Sequence, residues 1–279
     1  MMTWAKEIKE NTILRWNGVY NFRPKIIFSL ETSQYILKTA NTYEELVESC
    51  RLRYSVFFQE QQSIEESGID VDRFDSHFDH LIIVHKDSKK IIGTYRLSSS
   101  EYSNLSYTEQ EFELSEIFQL KGPHIELGRA CIHKDHRKGA AVISLLWRGI
   151  IEYMNISGGN ILFGCSSIKI RGPKDSALVY KYLTNKGAVL TTNMASPTLN
   201  YKIADFDRWL SYYEKVLSQD ECDQAQKLIP SLLKSYINLG AKIASIPAYD
   251  KEFDCIDLLT VLKKEEMTNS LARRFHVVQ

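Results

Sequence analysis

The sequence lacks most features that mark secreted, membrane-spanning or metal-stabilised proteins. Its five cysteines are odd in number and form no Cys-x-x-Cys pair, which favours free thiols over a disulfide framework or a zinc site. The first residues hold no apolar run typical of signal peptides, and no stretch reaches the roughly 18 apolar residues of a membrane span. The histidines show no spacing typical of metal ligands. We therefore expect a cytoplasmic protein without a metal site.

The sequence also has no excess of charge of either sign. Lysine and arginine together number 35, as do aspartate and glutamate, so the formal net charge is zero. A neutral chain does not attract nucleic acid through its overall field, and we expect no nucleic-acid partner. Electrostatic recognition would have to come from local patches of charge. Hydrophobic residues make up 44% of the 279, which is ordinary for a globular protein.

Apolar periodicity predicts alternating helices and strands through the middle of the chain. Residues 41–61 are predicted to be helical, with Thr42 and Glu45 spaced as a capping box. Further predicted strands are "HLIIVHK", "KIIGTYRLSSS", "HIELGRACIH" and "NILFGCSSI", and further helices are "AVISLLWRGIIEYM" and "DSALVYKYLTNKG". The third of these strands, the helix after it and the fourth strand form a β-α-β crossover, whose two strands should be parallel.

The tail of the chain continues the alternation. It is predicted to contain a helix over "LIPSLLKSYINLG", an extended "AKIASIPAYD", a strand "CIDLLTVL" and a final helix through "RRFHVV". With the central crossover, these elements indicate an α/β (α+β) fold.

Two basic loops follow the strands of the predicted crossover. Loops after parallel strands lie at the same edge of a sheet, so these would combine into one basic surface. Its residues would be Lys134, His136, Arg137, Lys138, Lys169, Arg171 and Lys174. Gly139 would let the backbone approach a ligand, and the amides of the following helical turn would face an oxyanion or pyrophosphate. Two solvated charged loops would give the same pattern, and composition leaves both interpretations open.

Several charged residues occur in unexpected places. Glu126 lies within a predicted strand, where a carboxylate is costly unless it is paired or used; it would pair with Arg129 or accept a proton. The others are Arg53 and Arg96 within apolar segments, and Asp72 and Asp75 in an acidic loop. They would form either a buried ion-pair cluster that joins helix, loop and strand, or a cleft for a zwitterionic substrate. A guanidinium suits a carboxylate and an aspartate suits an ammonium, so the second interpretation is chemically sound.

Several segments together resemble one protein family. In order, they are "RYSVFFQEQ", "DVDRFDSHFDHLIIV", "IIGTYRL", "ELGRACIHKDHRKGAAVISLLWRGI" and "LFGCSS". This combination resembles the ornithine lipid N-acyltransferases of the GNAT superfamily and, more distantly, the acyl-homoserine-lactone synthases. The resemblance covers about residues 42–275 and implies a twisted mixed sheet with flanking helices. It implies an N-terminal extension (1–41), an acyltransferase core (42–200) and a C-terminal extension packed on that core (201–279).

The resemblance implies an acyltransferase that acts in lipid metabolism. Such an enzyme moves a (3-hydroxy) fatty acyl group from acyl carrier protein to the α-amino group of an amino acid, ornithine in the family, and forms a lyso-aminolipid. No cofactor would be permanently bound, because the phosphopantetheine thioester of the carrier protein is a co-substrate. The long acyl chain of the product implies peripheral contact with the inner membrane.

The resemblance also implies roles for the residues singled out above. Glu126 would be the general base that takes a proton from the attacking amine. The amino-acid substrate would be bound by Arg53, Asp72, Asp75, Arg96 and Arg129. The acyl donor would be bound by His136, Arg137, Lys138, Gly139, Ala140, Ala141, Lys169 and Arg171. His136 stands where GNAT proteins usually have arginine or glutamine, which leaves open how the pantetheine phosphate is held.

Three alternative functions remain. An acyl-homoserine-lactone synthase would use the same charged residues with S-adenosylmethionine, but those synthases are generally shorter and lack the C-terminal segment. An N-acyltransferase for another amino acid, such as glycine or lysine, would need only a changed pocket. A membrane-lytic or purely binding protein would be expected to carry a spanning segment or a long cationic amphipathic helix, and neither is seen in the sequence.

Overall fold

The structure, a computed structural model, describes residues 10, 12–60, 66, 68–138, 141–170 and 172–267. The chain divides into two compact units, residues 1–105 with 127–159 and residues 106–126 with 160–279. The boundary falls inside one strand, His124–Ile132, which contributes its first residues to the second unit and the rest to the first. The expected division at residues 41 and 200 stays a prediction.

The first unit is built on an antiparallel run of strands. These are β1 (Ser29–Glu31), β2 (Tyr35–Thr39), β3 (Asp79–His85), β4 (Ile91–Ser99) and the later part of β6 (His124–Ile132). They lie side by side in that order, and β1 to β4 pair antiparallel. The strands β3, β4 and β6 are confirmed predictions. The strands β1 and β2, which lie within the first 41 residues, were not predicted from the sequence.

The first long helix of this unit, α1 (Tyr43–Tyr54), begins where its cap predicts. The side chain of Thr42 accepts a hydrogen bond from the Glu45 backbone N–H at 3.2 Å, which is the first half of the expected capping box. The Glu45 carboxylate accepts instead from the N–H of Asn41, at 2.9 Å. The helix continues into π-helical turns over Ser55–Glu60.

Two helices cover opposite faces of the first unit's strands. The helix α1 packs Leu46 and Cys50 into a core that includes Ile82. The helix α3 (Ala141–Ser157) lies so close to the strands that a Cβ atom at Gly149 would be 2.6 Å from a methyl carbon of Leu81. Neighbouring residues of a strand point to opposite faces, so Leu81 and Ile82 place the two helices on different sides.

The second unit contains a mixed sheet. Its strands are the first residues of β6, β7 (Ile161–Ile168), β9 (Lys242–Ile243), β10 (Ala248–Asp250) and β11 (Cys255–Lys263). The strands β6 and β7 are parallel, from His124–Ile161 to Glu126–Phe163, whereas β11 is antiparallel to β7, β9 and β10. The parallel pair expected for the crossover is confirmed. A separate antiparallel pair joins β5 (Phe112–Glu113) to β8 (Ser196–Pro197).

The helices of the second unit are mostly short. They are α2 (Ser115–Phe118), α4 (Pro173–Asn185), α5 (Phe206–Tyr212), α6 (Gln219–Leu228) and α7 (Ser231–Asn238). The continuous helix predicted over residues 228–240 is wrong at its start. Pro230 has no N–H to donate and disfavours a helical residue before it, so Ile229 is extended and the chain breaks into α6 and α7. The final helix predicted through "RRFHVV" lies outside the described residues.

Both units combine helices with strands, so the predicted α/β (α+β) class with a mixed sheet is confirmed. Across the part of the chain that the structure describes, no helix is both long enough and apolar enough to cross a membrane.

Candidate active site

A buried ion-pair network lies in the first unit. It joins three arginines and three aspartates: Arg53, Asp70, Asp72, Asp75, Arg96 and Arg129. At its inner end the Arg53 side chain is fully buried and donates from Nε to Asp70, at 2.7 Å. Its two terminal nitrogens donate to the two carboxylate oxygens of Asp75, at 2.7 and 3.0 Å. This bidentate pairing fixes both position and orientation.

The other two arginines close the network. Arg96 donates from Nη1 to Asp72 at 2.7 Å and to Asp75 at 3.0 Å. Arg129 donates to Asp72 at 3.1 Å, and its Nε lies 3.3 Å from an Asp70 carboxylate oxygen. Burial alone would raise the pKa of Asp75, but the charges of Arg53 and Arg96 outweigh it and hold that pKa well below its ordinary value.

The network therefore has the form of the first interpretation, an ion-pair cluster that joins α1, the loop 70–75, β4 and β6. It reaches solvent at Asp72 and Arg129, whose side chains are 23% and 10% exposed. Asp70, which accepts from Arg53, is a member of the network that was not predicted from the sequence. Its only signal is that it begins the same acidic run, "DVDRFD". Substrate binding by the network stays a prediction.

The strand β6 is irregular at Arg129. The φ angle of this residue is 52°, in the left-handed region, and the preceding Gly128 has no atom within 4 Å of where a Cβ would lie. A non-glycine residue in this conformation costs about 1–2 kcal/mol. The ion pairs of Arg129 with Asp70 and Asp72 hold its side chain in place and offset part of that strain.

Glu126, on the same strand, is 5% exposed and is held by a turn of the second unit. Its carboxylate accepts hydrogen bonds from the N–H of Tyr107 at 3.1 Å, and from the N–H and the hydroxyl of Thr108, both at 2.7 Å. Three donors to one carboxylate stabilise its charged form. The donors precede Glu126 by 18 and 19 residues, so local spacing does not reveal them.

A second group of buried acidic side chains is connected to Thr108 through Cys165. The Cys165 thiol lies 3.9 Å from the Thr108 hydroxyl oxygen and donates to Glu111 at 3.4 Å. Glu111 is 1% exposed, and burial, followed by the charges of Asp257 and Asp250, raises its pKa well above the ordinary value. The Glu111 carboxyl therefore retains its proton to higher pH than an exposed glutamate does.

One group of possible metal ligands occurs among the described residues. Ligand atoms of Asp250, Cys255 and Asp257 lie within 4.8 Å of one another, and all three side chains are buried. Asp250 already accepts from the N–H groups of Glu252 and Phe253, at 2.8 and 3.2 Å. The group by itself identifies no ligand, and the expectation of no metal site stays a prediction.

All five cysteines are free, as expected from their number and spacing. Burial raises the pKa of the Cys131 thiol to about 12 and also raises the pKa of Cys165 well above its ordinary value. A thiolate is the nucleophilic form, so neither side chain is suited to nucleophilic catalysis.

The first basic loop follows β6 in the first unit. The His136 ring lies beside those of His85 and His133, with centroids 5.4 and 6.1 Å away, and burial followed by these two histidines lowers its pKa. Arg137 pairs with Glu60 at 2.8 Å. The residues Lys134, Lys138 and Ala141 are exposed. Gly139 and Ala140, expected at the same site, lie outside the described residues.

The second basic loop follows β7 in the second unit. Lys169 donates to the carbonyl oxygen of Phe253 at 2.6 Å, and the Lys174 ammonium lies 5.6 Å from the centre of the Trp209 ring. Arg171 lies outside the described residues. The union of the two loops into one basic surface stays a prediction.

Comparison with known proteins shows what this chain is similar to. Residues 52–148 match the acetyltransferase (GNAT) domain. The chain is 26% identical over 249 residues to an L-ornithine N(alpha)-acyltransferase of Rhodobacter capsulatus, covering 84% of this chain and 92% of the relative. It is 29% identical over 253 residues to a protein of the same name from Rhizobium meliloti, covering 85% and 80%. A solved structure of a CoA-dependent acyl-homoserine lactone synthase is similar at 14% identity and a TM-score of 0.43, over 85% of each chain.

Replacement of Asp75 by asparagine should destabilise the protein much more than the same change at Asp72. Asp75 is fully buried, and its loss leaves arginine charge uncompensated in the core, which costs about 3–5 kcal/mol. Asp72 is 23% exposed, so solvent compensates part of the loss and we expect about 1 kcal/mol. Urea unfolding at neutral pH measures both free energies. Equal losses would contradict the assignment of Asp75 to the centre of the network.

The contribution of Glu111 to stability should fall as pH rises above 4.5, its ordinary pKa. The folded state keeps this proton longer than the unfolded state does, so each step up in pH favours unfolding until the raised folded pKa is passed. Glu111→Gln cannot ionise and should gain stability relative to the wild type over that range. The matched control is Glu109→Gln, at an exposed position nearby. Urea unfolding at a series of pH values tests this, and parallel profiles for wild type and Glu111→Gln would contradict it.

Proposed function

We propose that this protein is a GNAT-type N-acyltransferase that transfers a fatty acyl group to the α-amino group of ornithine. The observation that carries the proposal is identity of 26–29% to four relatives named L-ornithine N(alpha)-acyltransferase, over 84–85% of this chain. The match includes 80–92% of each relative's own length, so the similarity extends well beyond the GNAT domain.

The proposed reaction forms an amide and releases a thiol. The α-nitrogen of the amino acid attacks the carbonyl carbon of a thioester, the carbon–sulfur bond breaks, and the sulfur leaves as a thiol. An α-ammonium has no lone pair, so it must lose one proton before attack, and the nitrogen loses a second as the amide forms. One proton goes to the departing sulfur and the other to solvent. The chemistry needs a proton acceptor but no covalent enzyme intermediate.

Glu126 is the proposed proton acceptor. A general base must be held in a defined position, and the three hydrogen bonds from Tyr107 and Thr108 fix this carboxylate on β6. The competing interpretation is that Glu126 only anchors the turn that begins at Thr108. Both interpretations use the same contacts. Only the first predicts that loss of the carboxylate lowers turnover, so turnover must be measured as well as stability.

The exposed end of the ion-pair network is the proposed contact for the amino acid. An aspartate suits the substrate ammonium and a guanidinium suits its carboxylate, roles that we give to Asp72 and Arg129. Arg53 and Asp75 are fully buried, and Arg96 is 2% exposed, so these three side chains would position the outer pair.

The proposed donor is an acyl thioester, with or without a 3-hydroxyl, on the phosphopantetheine of acyl carrier protein. The first loop carries exposed Lys134 and Lys138 on a chain with no net charge, and such local positive charge suits an acidic carrier. His136 and Arg137 in that loop, and Lys169 in the second, are proposed contacts of the donor. No permanently bound cofactor is required by this chemistry.

The purified protein should acylate ornithine at its α-nitrogen when given a panel of amino acids. We expect faster turnover with the acyl carrier protein thioester than with the coenzyme A thioester, and a difference that shrinks as salt screens the loops. Mass spectrometry of the products measures both. Preference for glycine or lysine would change the proposed substrate. A lactone formed from S-adenosylmethionine would identify a homoserine-lactone synthase instead, and equal, salt-insensitive use of both donors would contradict the carrier.

Glu126→Gln should lower turnover by about 10²- to 10⁴-fold at neutral pH if Glu126 is the base. Activity should recover partly as pH rises, because more of the substrate amine is then already neutral. The amide has one acceptor oxygen for three donors, so this variant should also lose about 1–3 kcal/mol of stability. Unfolding curves and pH profiles of kcat measure the two effects separately.

The matched control is Thr108→Val, which removes the hydroxyl donor and keeps the carboxylate. It should be destabilised but retain most of its turnover. If both variants are destabilised and both turn over normally, Glu126 is an anchor of the turn and another group accepts the proton.

A further inference from the structure

Residues 12–27 lie along the first unit with one side packed on its core. Leu14, Val19 and Phe22 belong to the hydrophobic cluster that also contains residues of α1. The backbone N–H groups of Lys25 and Ile26 donate to the Asp79 carboxylate at 2.7 and 3.2 Å. That carboxylate also accepts from the hydroxyl of the buried Tyr153, at 2.9 Å. The segment is therefore fixed on the core, while several of its other side chains are exposed.

The outer side of this segment is unusually apolar. Trp16 is 88% exposed, Ile27 is 67% exposed and Tyr20 is 45% exposed. Single exposed apolar side chains are normal on protein surfaces, but three large ones within 12 residues indicate a binding surface. Tyr20 is also stacked on Tyr43 of α1, with ring centroids 4.7 Å apart, so its ring is held in place.

The charge of the same segment has one sign. Arg15, Arg23 and Lys25 are exposed, and residues 12–27 contain no aspartate or glutamate. The whole chain has no net charge, so this is a local positive surface and not the general character of the protein. A partner with complementary charge must be anionic.

From this combination we propose that residues 12–27 bind the anionic surface of a lipid membrane. Tryptophan and tyrosine rings settle at the level of the lipid headgroups, and isoleucine enters the apolar layer beneath. Arginine and lysine side chains are attracted to anionic headgroups. Trp16 and Ile27 protrude from the surface, as insertion into a bilayer requires, whereas protein partners are usually anchored by side chains in packed pockets.

The inference goes beyond the proposed reaction and does not depend on which amino acid is acylated. It assigns the predicted peripheral membrane contact to a defined surface. A membrane-bound enzyme would also release a long-chain product where that product is soluble.

Sedimentation with lipid vesicles tests the surface directly, with no substrate present. The full-length protein should bind vesicles of phosphatidylcholine mixed with phosphatidylglycerol, bind those of phosphatidylcholine alone much more weakly, and lose affinity as salt is added. The triple variant Arg15→Gln/Arg23→Gln/Lys25→Gln should bind roughly 100-fold more weakly, since each basic residue near the membrane contributes about five-fold. The double variant Trp16→Ala/Ile27→Ala should also bind more weakly than the wild type, because it lacks the two most exposed apolar side chains of the segment.

Matched controls test whether vesicle binding depends on this surface or on exposed cations and apolar side chains anywhere on the protein. The triple variant Lys90→Gln/Lys121→Gln/Lys227→Gln removes three exposed cations elsewhere, and Leu199→Ala removes an apolar side chain that is 83% exposed. Both should bind vesicles as the wild type does. All variants should keep their thermal unfolding transitions and their N-acyltransferase turnover with a water-soluble donor, so a failure here is distinct from a failure of the proposed reaction.

Trp16 supplies an independent readout. Its emission should shift to shorter wavelength on binding anionic vesicles, and Trp16→Phe should remove that shift. The inference is overturned if the wild type does not bind anionic vesicles, or if the segment variants bind as well as their controls. It is also overturned if the triple variant keeps vesicle binding but loses affinity for acyl carrier protein, because the segment would then dock a protein.

Discussion

Arg53 and Asp75 are both fully buried, and two hydrogen bonds of 2.7 and 3.0 Å join them. Neither charge is tolerable in the core without the other, because the desolvation of an unpaired ion costs several kcal/mol. Around this pair the network extends to Arg96 on β4 and Arg129 on β6, and so links helix, loop and sheet. The packing of the first unit depends on this constraint, since the three arginines come from three different elements and the three aspartates come from one loop.

The buried acids of the second unit obey the same rule in a different way. Asp75 keeps its charge because two arginines are in contact with it, whereas Glu111 lies near the charges of Asp257 and Asp250 and is favoured in its protonated form. Glu126 represents a third solution, a carboxylate satisfied by two backbone N–H groups and a hydroxyl. Burial alone therefore does not tell whether a carboxyl group is a structural ion, a proton carrier or a base.

Much of the architecture could be read from local patterns. The strands β3, β4, β6, β7 and β11 follow from runs of apolar residues, and the start of α1 follows from the cap at Thr42. Such patterns depend on residues that are close in sequence, so they can be predicted from the sequence. Charged residues in unexpected places identified four of the network's six members and Glu126, because a buried charge always requires an explanation. The order of several such segments also resembled the GNAT acyltransferases.

By itself, then, the sequence determined the class of fold, the family resemblance and which residues are chemically out of place. Only the tertiary structure decided their partners. The Arg53–Asp75 pair spans 22 residues and the Arg129–Asp72 pair spans 57, and contacts at such separations depend on how loops close, which no short pattern records. The same holds for Asp70, for the donors to Glu126, and for the outward side of residues 12–27. Their roles follow from three-dimensional packing, which determines which side chain each charge meets and which remain in solvent.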